Sequence, residues 1–466
     1  MIEYDDVVTL LMSTNLATPT GDRRVGSAVA SVRSSAVRRG EGCVVGLLTA
    51  VKGGLRRALM ARSSGIDLSR LDKVPQRLSW PLTRDVMAPS ARLSAERDKA
   101  PVHKLTTFLG MDVWLVTGDA EAREVLGATT GYSTDIRPYF GRAGDEGGDF
   151  GGLGFTDPPD HTRLRKFLTP EFTMRRLARL APLVEDTVER QLDEVEAGVG
   201  ADGIVDLVPT FAFPVPFLVI CDLLGVPNER RERFSQLATA RFDVTKGGQG
   251  VVGAIGGSRE FLLGEAARQR QDPGPGLIGQ IIREHGDEIS DFDLGGLADG
   301  VFTGGLETSA SMLALGTAML ADDRETWHRV AREPEVVAPV VEELLRLLSV
   351  VQVAFPRFPQ DDVVVGGVPI SKGSVVLASL PAANRDPRST AGDRIDLERA
   401  GSSHLAFGYG FHRCVGAELA RMELRAAFPR LAARFPDLRP AVPIADLEYR
   451  AQSIVYGVEA VPVRIG

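Results

Sequence analysis

The chain has 466 residues, 44% hydrophobic and 25% charged, with a formal net charge of −8. This is the balance of a globular protein, and its acidic surplus argues against a nucleic-acid binder, because phosphate backbones select basic surfaces. Three widely separated cysteines, Cys43, Cys221 and Cys414, build neither a disulfide framework nor a paired-cysteine zinc pattern, which fits a reducing cytoplasm.

The most apolar run near the start, Cys43 to Val51, falls well short of the roughly 18 to 20 residues needed to span a bilayer. Glu3, Asp5 and Asp6 give the N-terminus the wrong charge for a secretory signal. Residues 1–71 are rich in Ser, Ala, Gly and Arg and read as an extension, with residues 72–466 as the globular domain. Three readings of the extension stay open: translation that starts at Met60, a disordered basic tail, or an amphipathic partner or membrane helix near Val44 to Leu59.

Globular patterning begins at Trp80. Val113-Trp-Leu-Val116 followed by Thr-Gly-Asp reads as a strand and turn, and Ala120 to Leu126 as a helix. The Gly- and acid-rich stretch 141–154 reads as a loop, and Pro158 and Pro159 open a helix. Helices are predicted over Leu177 to Val199 and Val208 to Leu224, after a cap at Asn228, over Ser258 to Gln271, over Asp291 to Leu320, and from Pro334 to Leu348. A β region spans Val363 to Leu380 around the hairpin signal Val365-Gly-Gly-Val368. A helix over Ala417 to Phe435 and a strand-like Ser453 to Val463 close the chain. The fold class is mainly α with a small β region.

The most informative segment is Phe407-Gly-Tyr-Gly-Phe-His-Arg-Cys414-Val-Gly416. It sets one cysteine in a glycine loop ahead of a helix, where backbone N–H groups and the positive helix end favour a thiolate. Gly408 and Gly410 allow tight bending, and Gly416 lets the helix start lie against something flat. A lone cysteine so held suits a single thiolate ligand to haem iron. A zinc site with His404 and His412 would need further converging ligands that the spacing does not supply.

The pattern F-G-x-G-x-H-x-C-x-G resembles the haem-binding loop of the cytochrome P450 family at every fixed position, and the resemblance extends over residues 72–466. It implies the cytochrome P450 fold, haem b (iron protoporphyrin IX) with Cys414 as axial ligand, and Phe407 packed beside the sulfur. Glu343-Leu-Leu-Arg346 is similar to the family's structural ion pair, with Arg399 as its third member. Gly304-Gly305-Leu306-Glu307-Thr308-Ser309 is similar to the segment that crosses the oxygen face of the haem. It implies that Gly305 lies against the cofactor and that Glu307 and Thr308 deliver protons. His161, Arg165, Arg357 and His412 match positions that hold the haem propionates. Tyr139, Phe140, Leu297, Val301, Val353, Phe355 and Ile454 match pocket positions, and their apolar character implies a small hydrophobic substrate. Val415 stands where the family usually has Leu.

The resemblance further implies a cytoplasmic, monomeric monooxygenase without a membrane span, at work in secondary metabolism. Oxidative coupling, desaturation or ring formation is the alternative. The haem region carries no flavin domain and no G-x-G-x-x-G fingerprint, so NAD(P)H is expected to act only indirectly, through a ferredoxin reductase and a ferredoxin. Arg163, Lys166, Arg175 and Arg413 offer that ferredoxin a basic face.

Overall fold

A computed structural model describes residues 79–108, 110–140, 152–242, 248–389, 392–398, 403–450 and 453–465. All of them fall within the unit Met60–Gly466. The expectations for residues 1–71 and for most of the loop 141–154 lie outside the described residues.

Helices dominate. Beside short helical turns, the longer ones among the described residues are, in chain order, α1 (Ala91–Lys99), α2 (Asp119–Gly127), α3 (Asp160–Leu168), α4 (Ala181–Ala197), α5 (Pro214–Leu224), α6 (Asn228–Phe242), α7 (Gly248–Gln271), α8 (Leu277–His285), α9 (Asp291–Asp322), α10 (Arg324–Arg332), α11 (Pro334–Leu348) and α12 (Ala417–Arg434). Polar side chains fix several starts: Ser90 accepts from the Leu93 N–H, Ser290 from the Asp293 N–H, and Asp323 from the Thr326 N–H. Helix α7 begins earlier than the periodicity predicts, because its glycine-rich first turns carry no apolar pattern. The expected helix from Val208 starts as a π turn over Val208–Ala212, and α5 proper begins at Pro214, a residue that suits a first helical position.

The long α9 is the axis of the fold, packed against α5, α7, α11 and α12. Its Phe302, Leu306, Leu313 and Leu315 are fully buried in the main core. No helix among the described residues is long and apolar enough to cross a membrane.

The β structure is peripheral. Its strands are β1 (Arg84–Asp85), β2 (Ala88–Pro89), β3 (Val102–Phe108), β4 (Met111–Val116), β5 (Tyr132–Ser133), β6 (Ile204–Asp206), β7 (Phe358–Pro359), β8 (Val363–Val365), β9 (Val368–Ile370), β10 (Val375–Ala378), β11 (Arg439–Pro440) and β12 (Pro462–Arg464). Strand β4 lies between antiparallel β3 and parallel β10. The β8–β9 hairpin turns on Gly366 and Gly367 at φ +55° and +82°, the left-handed pair that such a turn requires. The proline-rich Phe355 to Pro359 segment still joins the β structure: β7 pairs with β5, and Arg357 bridges to Val376. Ser453 to Val463 is not one strand. It makes single bridges, Val351 to Val455 and Tyr449 to Val458, before β12.

Candidate active site

The cysteine loop is held from both ends. Gly408 and Gly410 sit at φ +69° and +74°, and a Cβ on Gly410 would lie 2.4 Å from the Leu126 carbonyl oxygen, so α2 leaves room only for glycine. The Cys414 N–H donates to the Phe407 carbonyl at 2.9 Å, and Gly416, ahead of α12, directs its N–H at the sulfur. A Cβ on Gly416 would meet Phe172 and the Cys414 Sγ only at 3.8 and 3.9 Å. Among the described residues a side chain there would make only ordinary contacts, so the packing leaves space beside the sulfur.

Cys414 is exposed along the hollow it faces, yet protein surrounds it closely. Desolvation therefore dominates and pushes its thiol pKa up, against the Gly416 N–H, Arg165, Arg413 and Arg421, which favour the thiolate. The loop supplies the stabilising groups that the sequence implies but does not by itself lower the pKa. A coordinated metal cation, which deprotonates a bound thiol, would complete the set. Phe407 is covered by the Arg421 guanidinium, 4.7 Å from its ring centre. Arg421 also grips Glu342 at 2.7 Å, and His404 meets the same carboxylate at 3.1 Å. Burial would raise the Glu342 pKa, but the bonds from Arg421 and His404 hold it down at about 2. His404 thus braces the loop.

Beneath the loop, Arg346 is fully buried on α11 and pairs in two-pronged fashion with Glu343, at 2.9 and 2.7 Å. It also donates to the carbonyls of Asn384, Gly392 and Arg394, while Glu343 accepts the Asp396 N–H. Arg399 lies outside the described residues. These backbone bonds tie α11 to the segment leading into the cysteine loop.

At the edge of the hollow, four nitrogen-rich side chains converge. His161 on α3 is 3% exposed, and its ring lies 4.3 Å from that of His412. Among the described residues the Nε2 atoms of both are buried without a hydrogen-bond partner. Burial, reinforced by Arg357, pushes the His412 pKa down to about 3. Arg357, 3% exposed, donates to the backbone carbonyl of Phe355, and burial lowers its pKa to about 10. Arg165 is lowered by burial as well and donates to the Arg413 carbonyl at 2.6 Å. The nearby carboxylate, Asp157, already accepts from Thr134. Buried cations and orphaned donors of this kind call for an anion, and a group bearing carboxylates and a thiolate-binding metal fits them.

A cavity of about 450 Å³ borders His161, Arg165, Lys166 and Phe411. Cys414 does not line it, so it skirts the site rather than containing the reacting centre. On the neighbouring surface Arg163 pairs with Asp293 at 3.0 Å, which removes one of the cations expected to be open to a partner.

Helix α9 carries the Gly304-Gly305-Leu306-Glu307-Thr308 segment. A Cβ on Gly305 would point at Ile220 of α5, 3.1 Å away, whereas one on Gly304 would meet nothing. The missing side chain of Gly305 is therefore explained by helix packing, and Gly304 is the glycine that opens space. The Thr308 hydroxyl donates to the Gly304 carbonyl at 2.6 Å. Glu307 accepts from Arg450 at 3.4 Å, and its pKa is raised, mainly by desolvation.

A further acid escaped the sequence reading. Glu423 on α12 is 2% exposed, hydrogen-bonded to Ser309, and burial pushes its pKa up to about 8. Its Oε2 has no partner. It lies against Ser309, the residue that follows Thr308. Helix periodicity was the available signal, since Glu423 falls on the face shared with Leu419, Ala427 and Leu431, all buried.

Of the expected pocket residues, Val301 and Val353 are half-buried, while Phe355 and Ile454 are 46% and 55% exposed. The Ile454 carbonyl accepts from the Gln352 N–H, which sets it beside Val353. Phe355 packs edge-on against Phe155 at 4.8 Å, in space left free by Gly154. Leu297 is 4% exposed within the core, so it supports the wall instead of lining it. Tyr139 and Phe140 end a short helix, and their side chains lie outside the described residues.

The family profile of cytochrome P450 matches residues 276–440. Cytochrome P450 165C4 of Amycolatopsis orientalis is 40% identical over 357 residues, 75% of this chain and 86% of the relative. The solved structure of OxyE, a cytochrome P450 involved in teicoplanin biosynthesis, superposes with a TM-score of 0.76 at 36% identity, covering 82% of this chain and 99% of OxyE. OxyC, a cytochrome P450 implicated in an oxidative C–C coupling reaction during vancomycin biosynthesis, gives 0.73 at 38% identity, covering 82% of this chain and 95% of OxyC.

Proposed function

The chain belongs to the cytochrome P450 family, and from that premise we propose that it is a monooxygenase which places one oxygen atom of O2 into a C–H bond or alkene of a small hydrophobic molecule of secondary metabolism. The observation that carries this reading is Cys414 held in its glycine loop, its N–H tied to the Phe407 carbonyl and its sulfur met by the Gly416 N–H and by the charges of Arg165, Arg413 and Arg421. In it, the Cys414 thiolate would hold the haem iron, and His161, Arg165, Arg357 and His412 would hold the haem carboxylates. When bound, the haem iron supplies activation of dioxygen, favoured by the electron density of its thiolate ligand.

The protein's own part is positioning, proton supply and exclusion of water. Arg421 over Phe407 shields the thiolate side. The Thr308 hydroxyl, now bonded to Gly304, rotates to donate a proton on the opposite side, and Glu307 replenishes it. Phe355, Val353, Val301 and Ile454 supply the apolar contacts that orient the substrate. Electrons reach the haem from a ferredoxin and a ferredoxin reductase fed by NAD(P)H, with the ferredoxin docking by Lys166 and Arg413. The enzyme works as a cytoplasmic monomer.

The second reading, oxidative coupling without net oxygen insertion, is favoured by the likeness to OxyC. A screen for ligands that displace water from the iron identifies a substrate, and turnover under 18O2 then separates the readings. One labelled atom in the product supports monooxygenation. A product that has lost two hydrogens and carries no label supports coupling.

A further inference from the structure

Near the C-terminal end of the chain two described segments pair with each other, and one of them lies against α9. Tyr449 bridges to Val458, the Arg450 N–H donates to the Gly457 carbonyl, and the Glu459 N–H donates to the Glu448 carbonyl. Gly457 permits this close approach, since a Cβ there would lie 2.8 Å from the Ser311 hydroxyl of α9. Arg450 is thereby aimed at the helix. Its Nη1 reaches Glu307 at 3.4 Å, and its Nε reaches Glu459 at 3.1 Å. All three side chains are partly shielded, with Arg450 19% and Glu307 22% exposed.

One cation therefore serves two carboxylates from different elements. Arg450 stands 3.4 Å from Glu307, longer than its contact to Glu459, so its hold on Glu307 is the looser of the two. Among the described residues Glu307 has one other cation in range, Arg241 of α6, but that guanidinium is committed to Asp299 at 2.7 Å and to Ser258 at 2.6 Å. Arg450, Glu459 and Arg241 are thus the charged groups among the described residues that face Glu307.

We propose that Arg450 is a positioning residue for proton delivery: shared between Glu307 and Glu459, it anchors the Glu307 carboxylate to the C-terminal loop and sets the charge it presents beside Thr308. The inference rests on the reading of Glu307 and Thr308 as the proton-delivering pair. Arg450 itself does not touch the reacting atoms. Removing it leaves Glu307 more willing to hold its proton, and removing the competing Glu459 does the reverse.

The test is an infrared titration of the Glu307 carboxyl in the haem-loaded protein, assigned as the band lost in Glu307→Gln. Arg450→Gln should raise its midpoint by about one pH unit, Glu459→Gln should lower it, and Arg450→Lys should restore a value near the parent's. Thermal denaturation of each variant shows that the fold is kept. A midpoint unmoved in Arg450→Gln, or moved equally by Arg450→Lys, would overturn the proposal. Because this readout needs no turnover, it stands apart from whether Glu307 is used in catalysis. That question is answered by hydrogen peroxide release in Thr308→Ala and Glu307→Gln.

Discussion

The thiolate side and the oxygen side of the site are built on different principles. Around Cys414 nearly every group is committed: Gly410 has no room for a side chain, Arg421 and His404 share Glu342, and Arg346 spreads its donors over Glu343 and three carbonyls. By contrast, α9 offers an open glycine, a hydroxyl parked on its own helix, and an acid held by a shared arginine. The first region fixes a ligand in one geometry. The second keeps groups that must move protons and admit substrates.

If that contrast is right, substitutions on the thiolate side cost stability, and those on the α9 side change chemistry. The largest effect is expected for Arg346→Ala, which leaves Glu343 buried beside its lost partner and costs about 3 to 5 kcal/mol. Thermal unfolding and haem content should both fall. Gly410→Ala follows, with strain at φ +74° plus a clash with the Leu126 carbonyl. A loss of about 1 to 3 kcal/mol should show in chemical denaturation.

Glu423 sharpens the comparison, because it sits where the two sides meet, on α12 but bonded to Ser309 of α9. Its folded pKa is raised, so the folded state binds a proton that the unfolded state has released. The stabilisation is complete below the ordinary carboxyl value of 4.5 and is lost as pH rises towards about 8. The slope is about 1.4 kcal/mol per pH unit at most. Glu423→Gln should flatten the fall in stability over this range, as read from denaturation midpoints at successive pH values. Smallest is Phe355→Ala, which removes an edge-on pair with Phe155 worth about 1 kcal/mol. It should leave the fold intact and broaden the set of ligands that shift the haem spectrum.

The two regions also differed in how legible they were. The cysteine loop is legible as a local sequence motif, although residues remote in sequence, Leu126, Arg165 and Glu342, brace it; the start of α9 follows from its Ser290 cap and that of α11 from Pro334. What could not be read locally depends on packing. Gly304 and Gly305 are adjacent in sequence, and only the position of Ile220 decides which one opens space. Glu423 looks like one more charge on a mixed helix until its neighbours are placed, and Arg450 is distant in sequence from the acid it holds. Leu297 reads as a pocket residue by position but is enclosed by the core.

The central claim, that Cys414 is the thiolate ligand of a haem iron, is tested most directly by the spectrum of the ferrous carbon monoxide complex. The parent protein should show the red-shifted Soret band of a thiolate-ligated haem, and Cys414→Ser should lose it. A Cys414→Ser protein that binds haem and keeps that band would contradict the account.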